Sequence, residues 1–294
     1  MADFKICQVQ GVEEALEILG DHQTDAVVLA GGTDLVPMLK NQLIRPKYVL
    51  PMGQIKGMAD TSSHGDLVCL GPMATHQQVK RSPLMGRYAP VLAEASGTVG
   101  SLQTRNLGTV AGNLGNASPS ADSAPALLVL DAALRVRRRG GERMVPLSSF
   151  FVGPKTNCLR PDELITEIRF KKLDRGEGSA YCKLGRRSAV TMAVASAAAY
   201  VKMSEQGSIL KEVRIALGSV APTPIRASVT ESKAAGLSID EVCEVIEKEM
   251  GQDISPISDV RATAEYRQRI AFVLARRAVE KAFVRAKNSL EARA

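Results

Sequence analysis

Between Gln103 and Asp122 the chain reads QTRNLGTVAGNLGNASPSAD. Gly108, Gly112 and Gly115 stand there among the short polar side chains of Thr109, Asn113, Asn116, Ser118 and Ser120, with almost no apolar periodicity. Glycine admits positive φ and lets a ligand approach the main chain. The stretch therefore reads as a backbone cradle for an anionic or sugar-bearing group rather than a core helix or strand; a long irregular surface loop is the competing reading. A second glycine turn, Ala30-Gly31-Gly32-Thr33-Asp34-Leu35, follows the apolar run Ala26-Val-Val-Leu29 and precedes Val36-Pro37-Met38-Leu39-Lys40. Strand, glycine turn and helix start in that order gather backbone N–H groups at one point, which suits a pyrophosphate. Neither GxGxxG nor GxxxxGK is present, so the turn is neither a Rossmann fingerprint nor a Walker A loop.

The totals narrow the chemistry. A chain of 294 residues that is 45% hydrophobic and 23% charged has the composition of a folded protein of two or three domains. It has no apolar run of about 18 residues that could span a membrane. The start, Met-Ala-Asp-Phe-Lys, lacks a basic region followed by an apolar one, which predicts a cytoplasmic location. Cys7, Cys69, Cys158, Cys182 and Cys243 are too dispersed for a CxxC metal or cluster site, and three histidines offer little material for zinc. Net charge is +7, densest at Arg135, Arg137, Arg138, Arg139 and Arg143. That run reads as a solvated hairpin turn, and the absence of Trp, with aromatics at 4%, is poor material for base stacking.

The elements that must position these residues follow from periodicity and punctuation. A helix is expected over 12–19, stopped by Gly20, then strands at 26–29, 48–50 and 67–71. The Ala74-Thr75 cap predicts a helix to Lys80, and a further helix spans 88–96. After the long cradle come a helix from Ser123 to Leu130, a hairpin of 133–139 with 143–147 across Gly140-Gly141, and a half-buried strand at 163–170. The polar break 171–179 opens a second composition: a meander of 191–203 with 209–217, then helices over 239–250 and 263–287. The class is α+β, with domains at 1–174 and 175–294.

AGGTDL and TVAGN, about eighty residues apart, with Asp122 nine residues after Asn113, resemble the FAD-binding medium subunit of the molybdenum hydroxylases. That family includes the flavin subunit of aerobic carbon monoxide dehydrogenase and the flavin domain of xanthine dehydrogenase. YCKLGRR (181–187) and SDVRATAEYR (258–267) fall in the same order, so the resemblance covers nearly the whole chain. It implies an FAD-binding domain of the vanillyl-alcohol-oxidase/p-cresol-methylhydroxylase type, with two α/β subdomains. A small C-terminal α+β domain, a three-stranded antiparallel sheet plus helices, would follow.

By the same resemblance Leu29, Ala30, Gly31, Gly32, Thr33, Asp34, Leu35 and Val36 would wrap the FAD diphosphate. Thr109, Val110, Ala111, Gly112 and Asn113 would hold the diphosphate and ribityl side from the other lip. Asp122 would accept hydrogen bonds from the adenosine ribose, Ile165 would pack near the flavin, and Lys183 would sit at the pyrimidine end of the isoalloxazine. The implied role is electron transfer. Electrons from [2Fe-2S] clusters of a small subunit would reach FAD and pass to NAD+, a quinone or another acceptor. Molybdopterin would lie on a large subunit, in a dimer of heterotrimers, and this chain would carry no metal and no catalytic residue. A free-standing FAD-dependent oxidase or reductase of the same fold is the alternative, for which His and Tyr are scarce. A nucleic-acid-binding protein, suggested by a pI of about 9.2, would leave both glycine cradles unexplained.

Overall fold

A computed structural model describes residues 3–187 and 190–291. The strands Lys5–Ile6, Tyr48–Pro51 and Ala26–Leu29 pair in that spatial order as a parallel three-stranded sheet. The helix Val12–His22 lies against it through Ala15, Leu16 and Leu19, which share a buried cluster with Leu50 and Met52. It runs through Gly20 to His22, beyond the expected stop. A glycine in the last turn costs only about 1 kcal/mol, and the helix ends instead where Gln23 turns to φ 47°.

A second, five-stranded antiparallel sheet runs Thr61–His64, Leu67–Leu70, Leu164–Lys171, Ala133–Arg138, Gly141–Pro146. Its inner face contributes Val68, Leu70, Leu134 and Ile168 to a core shared with Leu92, Leu114, Leu127 and Phe150. The hairpin across Gly140-Gly141 forms as expected, and four of its five arginines are engaged by acids: Arg135 by Glu142, Arg137 by Glu13, Arg139 by Asp21 and Arg143 by Glu163. Most of the basic run is therefore engaged in ion pairs rather than forming an open cationic face.

The C-terminal sheet joins Glu177–Gly185, Ala193–Met203 and Leu210–Gly218, with a two-residue strand, Ile225–Arg226, added at its edge. Three long strands were expected; the fourth arises because the chain after Pro224 turns back to pair Ile225 with Leu217. The central strand is alanine-rich because both of its faces are covered. Ala195, Ala197, Ala199 and Val201 share a cluster with the long helix Ala264–Glu291, while Ala198 and Tyr200 belong to the core of the N-terminal half. Among the described residues no helix is long and apolar enough to cross a membrane.

The stretch 103–122 corrects a sequence-based expectation. Read as non-helical, it holds the short helix Val110–Gly115 and most of another, Leu102–Leu107. Ser101 Oγ accepts from Thr104 N–H (3.2 Å), and Thr109 Oγ1 accepts from Gly112 N–H (3.0 Å). Side-chain caps start both turns where apolar periodicity is missing. Similarly, the helix expected over 88–96 begins earlier as Pro83–Tyr88 and restarts as Pro90–Gly97, each with a proline in its first turn.

Candidate functional site

The two glycine loops meet. A Cβ on Gly31 would collide with the Leu107 carbonyl, so only glycine lets the first loop touch the backbone of the second. The second loop is pinned by the segment that follows the strand Leu67–Leu70. Val110 N–H donates to the Ala74 carbonyl (3.1 Å) and His76 N–H to the Gly108 carbonyl (3.0 Å), around an antiparallel bridge between Thr75 and Thr109. Thr75 also closes a capping box with Gln78, which fixes the helix His76–Arg81 at this junction.

Between the loops lies a cavity of about 680 Å³, within the size range of small-molecule and cofactor sites. Ala30 through Leu35 border it from the first loop, and Thr109, Ala111, Gly112 and Asn113 from the second. Asp122 and Ile165 complete the expected set. Ser123 Oγ donates to Asn113 Oδ1 (2.5 Å), which fixes that carboxamide. Leu29, Val36, Val110 and Lys183, also expected at the site, are not part of the wall: Val110 is core, Val36 is exposed, and Leu29 ends its strand behind Gly32.

Asp122 and Lys183, expected at the adenosine ribose and at the pyrimidine end of the isoalloxazine, stand together: Lys183 Nζ donates to Asp122 Oδ2 at 2.6 Å. Lys183 lies behind Asp122, where its ammonium also donates to the Thr98 carbonyl (3.1 Å). Tyr181, two residues earlier on the same strand face, donates its hydroxyl to Asp122 Oδ1 (2.8 Å). Burial and the adjacent carboxylate push the Tyr181 phenol well up, so it stays protonated and acts as donor. Burial also raises the Asp122 carboxyl, opposed by Lys183 and Tyr181. Asp122 precedes the helix Ser123–Val129 but makes no cap hydrogen bond; its side chain is committed to the C-terminal sheet.

Other wall residues escaped sequence reasoning. Met38, Met52, Met58 and Met73 form an apolar, polarisable lining, suited to a flat ring system. They are scattered over segments between or beside strands, and no spacing marks them. Val190, Thr191 and Met192 border the cavity from the loop after Glu177–Gly185, and Arg261 Nη2 reaches Met192 Sδ (3.5 Å) from the SDVRATAEYR segment. His76 is the largest omission. It is 2% exposed, borders the cavity, and its Nδ1 finds no partner. Such an orphan costs about 1–3 kcal/mol unless a ligand or water satisfies the ring. No spacing in the sequence singled it out.

These features fit a dinucleotide cofactor: loops that touch through glycine, a fixed carboxamide, an apolar wall and a buried imidazole short of a partner. Among the described residues no group of three or more His, Cys, Asp or Glu could hold a metal ion, and all five cysteines are free thiols.

Comparison with known proteins agrees. Residues 2–170 match the family described as the FAD binding domain in molybdopterin dehydrogenase, and residues 179–282 match the CO dehydrogenase flavoprotein C-terminal domain. The chain is 29% identical to 6-hydroxypseudooxynicotine dehydrogenase complex subunit alpha of Paenarthrobacter nicotinovorans, over 98% of this chain and 97% of that one. It is 30% identical to the carbon monoxide dehydrogenase medium chain of Hydrogenophaga pseudoflava, over 96% and 98%. A solved structure of carbon monoxide dehydrogenase from the same organism, lacking the Mo-pyranopterin moiety of its molybdenum cofactor, superposes with a TM-score of 0.90 at 29% identity, covering 96% and 98%.

Proposed function

The chain belongs to the FAD-binding flavoprotein family of the molybdopterin dehydrogenases, and from that premise we propose that it is the electron-transferring medium subunit of a molybdenum hydroxylase complex. The observation that carries the reading is the cavity closed between two glycine loops that touch at Gly31 and Leu107. Bound FAD supplies redox chemistry that exchanges electrons one or two at a time.

The chain's own residues bind and orient. Gly31 to Leu35 would hold the diphosphate with main-chain N–H groups, the Thr33 hydroxyl assisting, and Thr109 to Asn113 would close the other lip, where the N–H groups of Val110, Gly112 and Asn113 are already donated within the protein. Asp122 offers its remaining lone pairs to cofactor hydroxyls, since two of about four acceptor positions are taken by Lys183 and Tyr181. Ile165 and the four methionines cover apolar ring surface and exclude water. Lys183 acts through Asp122: it opposes the burial that raises the carboxyl and holds the side chain in place, and its charge would reach the flavin only past that group. Partners would be a molybdopterin-binding large subunit and a [2Fe-2S] small subunit, in a dimer of heterotrimers in the cytoplasm, with NAD+ or a quinone as acceptor. The relatives' printed names, a carbon monoxide dehydrogenase medium chain and a subunit of a dehydrogenase complex, support a place in a multi-subunit complex.

The direct test is the visible spectrum of the purified chain before and after adding FAD. Bound flavin gives a band near ~450 nm that bleaches on reduction. A colourless protein that takes up no FAD, alone or with its co-expressed partners, overturns the reading.

A further inference from the structure

The ring of His76 forms part of the cavity wall although it is 2% exposed. Nδ1 is sealed from solvent without a partner, and Cδ2 stands against Gly108, where Thr33 Oγ1 arrives from the first loop. Nε2, unlike Nδ1, is not sealed, so the Nε2 edge is the part of the ring left to border the cavity. Burial, aided by the charge of Arg105, pushes the imidazole pKa down to about 4, so the ring carries a single proton at neutral pH. A sealed N–H without an acceptor is a rarer arrangement than a sealed acceptor without a donor. The proton therefore belongs on Nε2, which makes His76 a donor toward the cavity.

The ligand side asks for such a donor. Neither glycine loop contributes a cation: residues 30–35 read AGGTDL and residues 108–113 read GTVAGN. An anionic segment bound between them would draw on N–H and O–H groups of the loops, while Lys155, a cation elsewhere on the cavity wall, gives its Nζ to Asn116 Oδ1 (3.0 Å). We propose that His76 is a further cofactor-binding residue, donating an Nε2–H hydrogen bond to an oxygen of bound FAD where the two glycine loops meet. This rests on the FAD reading of the cavity.

The test uses the full chain labelled with 15N-histidine, and the variants His76→Gln and His76→Phe. Long-range 1H–15N spectra report the tautomer, His22 and His64 being the only other histidines, and the signal lost in His76→Gln identifies His76. Titration with FAD, followed by flavin fluorescence, gives the affinity. The expected result is an Nε2–H tautomer whose Nε2 signal shifts on adding FAD. His76→Gln, which keeps an N–H donor, should bind within about threefold of the parent, and His76→Phe should lose about tenfold, the equivalent of one net hydrogen bond. Should His76→Phe fail to fold, the parent spectra and the glutamine variant still decide. An Nδ1–H tautomer, an unmoved signal in a chain that binds FAD, or a phenylalanine variant that binds as tightly as the parent overturns the role of His76 and leaves the FAD reading standing. A parent chain that takes up no FAD overturns both.

Discussion

Lys183 Nζ lies 2.6 Å from Asp122 Oδ2, and the two residues come from different halves of the chain. Asp122 follows the second glycine loop, whereas Lys183 and Tyr181 project from one face of the strand Glu177–Gly185. The wall of the cofactor cavity is thereby fastened to the C-terminal sheet through one buried carboxylate. The C-terminal half is a structural part of the site even though both glycine loops lie outside it.

Removing one partner of a buried ion pair strands the other. Asp122→Ala leaves the Lys183 ammonium, whose side chain is 6% exposed, without its counter-charge and should cost about 3–5 kcal/mol in urea unfolding. Lys183→Met should cost a similar amount. The double variant Asp122→Ala/Lys183→Met should be less destabilised than the sum of its single changes, with a coupling of roughly 1–3 kcal/mol. Strict additivity would mean that the pair does not act as a unit.

The glycine loops predict a ranking of FAD losses. Gly31→Ala places a methyl group against the Leu107 carbonyl, a backbone atom that cannot rotate away. Gly112→Val brings Cβ to 2.8 Å from Thr109 Oγ1, the atom that caps the same helix, and adds a stiff branched side chain at the cavity wall. Overpacking of this kind costs about 1–3 kcal/mol, or roughly ten- to hundredfold in FAD affinity. Asp122→Ala, which empties space instead of filling it, should weaken FAD less than Gly112→Val. Equilibrium dialysis of the folded variants gives the order.

Acid should loosen the fold through His76. Its pKa falls from the ordinary 6.5 in the unfolded chain to about 4 in the fold. Between those values the unfolded chain binds more protons, so stability rises with pH across that window. The contribution is complete above about pH 6.5 and is lost as pH falls toward 4, amounting to about 3 kcal/mol. Urea midpoints measured from pH 4 to 7 should show this slope, and His76→Gln should flatten it.

How much of this was legible in the sequence differs by kind of signal. The strand Ala26–Leu29, the hairpin across Gly140-Gly141 and the C-terminal meander were readable because apolar periodicity and turn residues agree there. The helices Leu102–Leu107 and Val110–Gly115 were not, because Ser101 and Thr109 start them by capping and neither has an apolar stripe to reveal it. The touching of the two glycine loops was not read: the glycines were taken as room for a ligand, and Gly31 instead makes room for the Leu107 carbonyl. The Asp122–Lys183 pair was missed as a pair because its members lie 61 residues apart and each had a plausible separate task. His76 carried no spacing signal at all; only its burial, known from the fold, makes it stand out.

Glu94 offers a last prediction, because it ties the C-terminal helix to the strand that holds Asp122. It sits on Pro90–Gly97 and accepts from Tyr181 N–H (2.9 Å), Lys281 Nζ (2.6 Å) and Arg285 Nη2 (2.5 Å). Burial pushes its carboxyl up, but Arg285, Lys281 and the Tyr181 amide outweigh that and hold it below the usual range. Its stabilising effect is therefore complete above the ordinary glutamate pKa and is lost as pH falls through the lowered one. Glu94→Ala should cost about 1.5–3 kcal/mol, the worth of hydrogen bonds to a charged group, and Glu94→Gln less. The effect should also reach the cavity. Tyr181 positions the Asp122 carboxylate, so freeing the Tyr181 backbone should weaken FAD binding several-fold at neutral pH although Glu94 borders no part of the cavity. Paired measurements of unfolding and FAD affinity separate the two halves of this claim: destabilisation with unchanged affinity would confine Glu94 to holding the halves of the chain together, whereas loss of both places it in the chain of contacts that ends at Asp122.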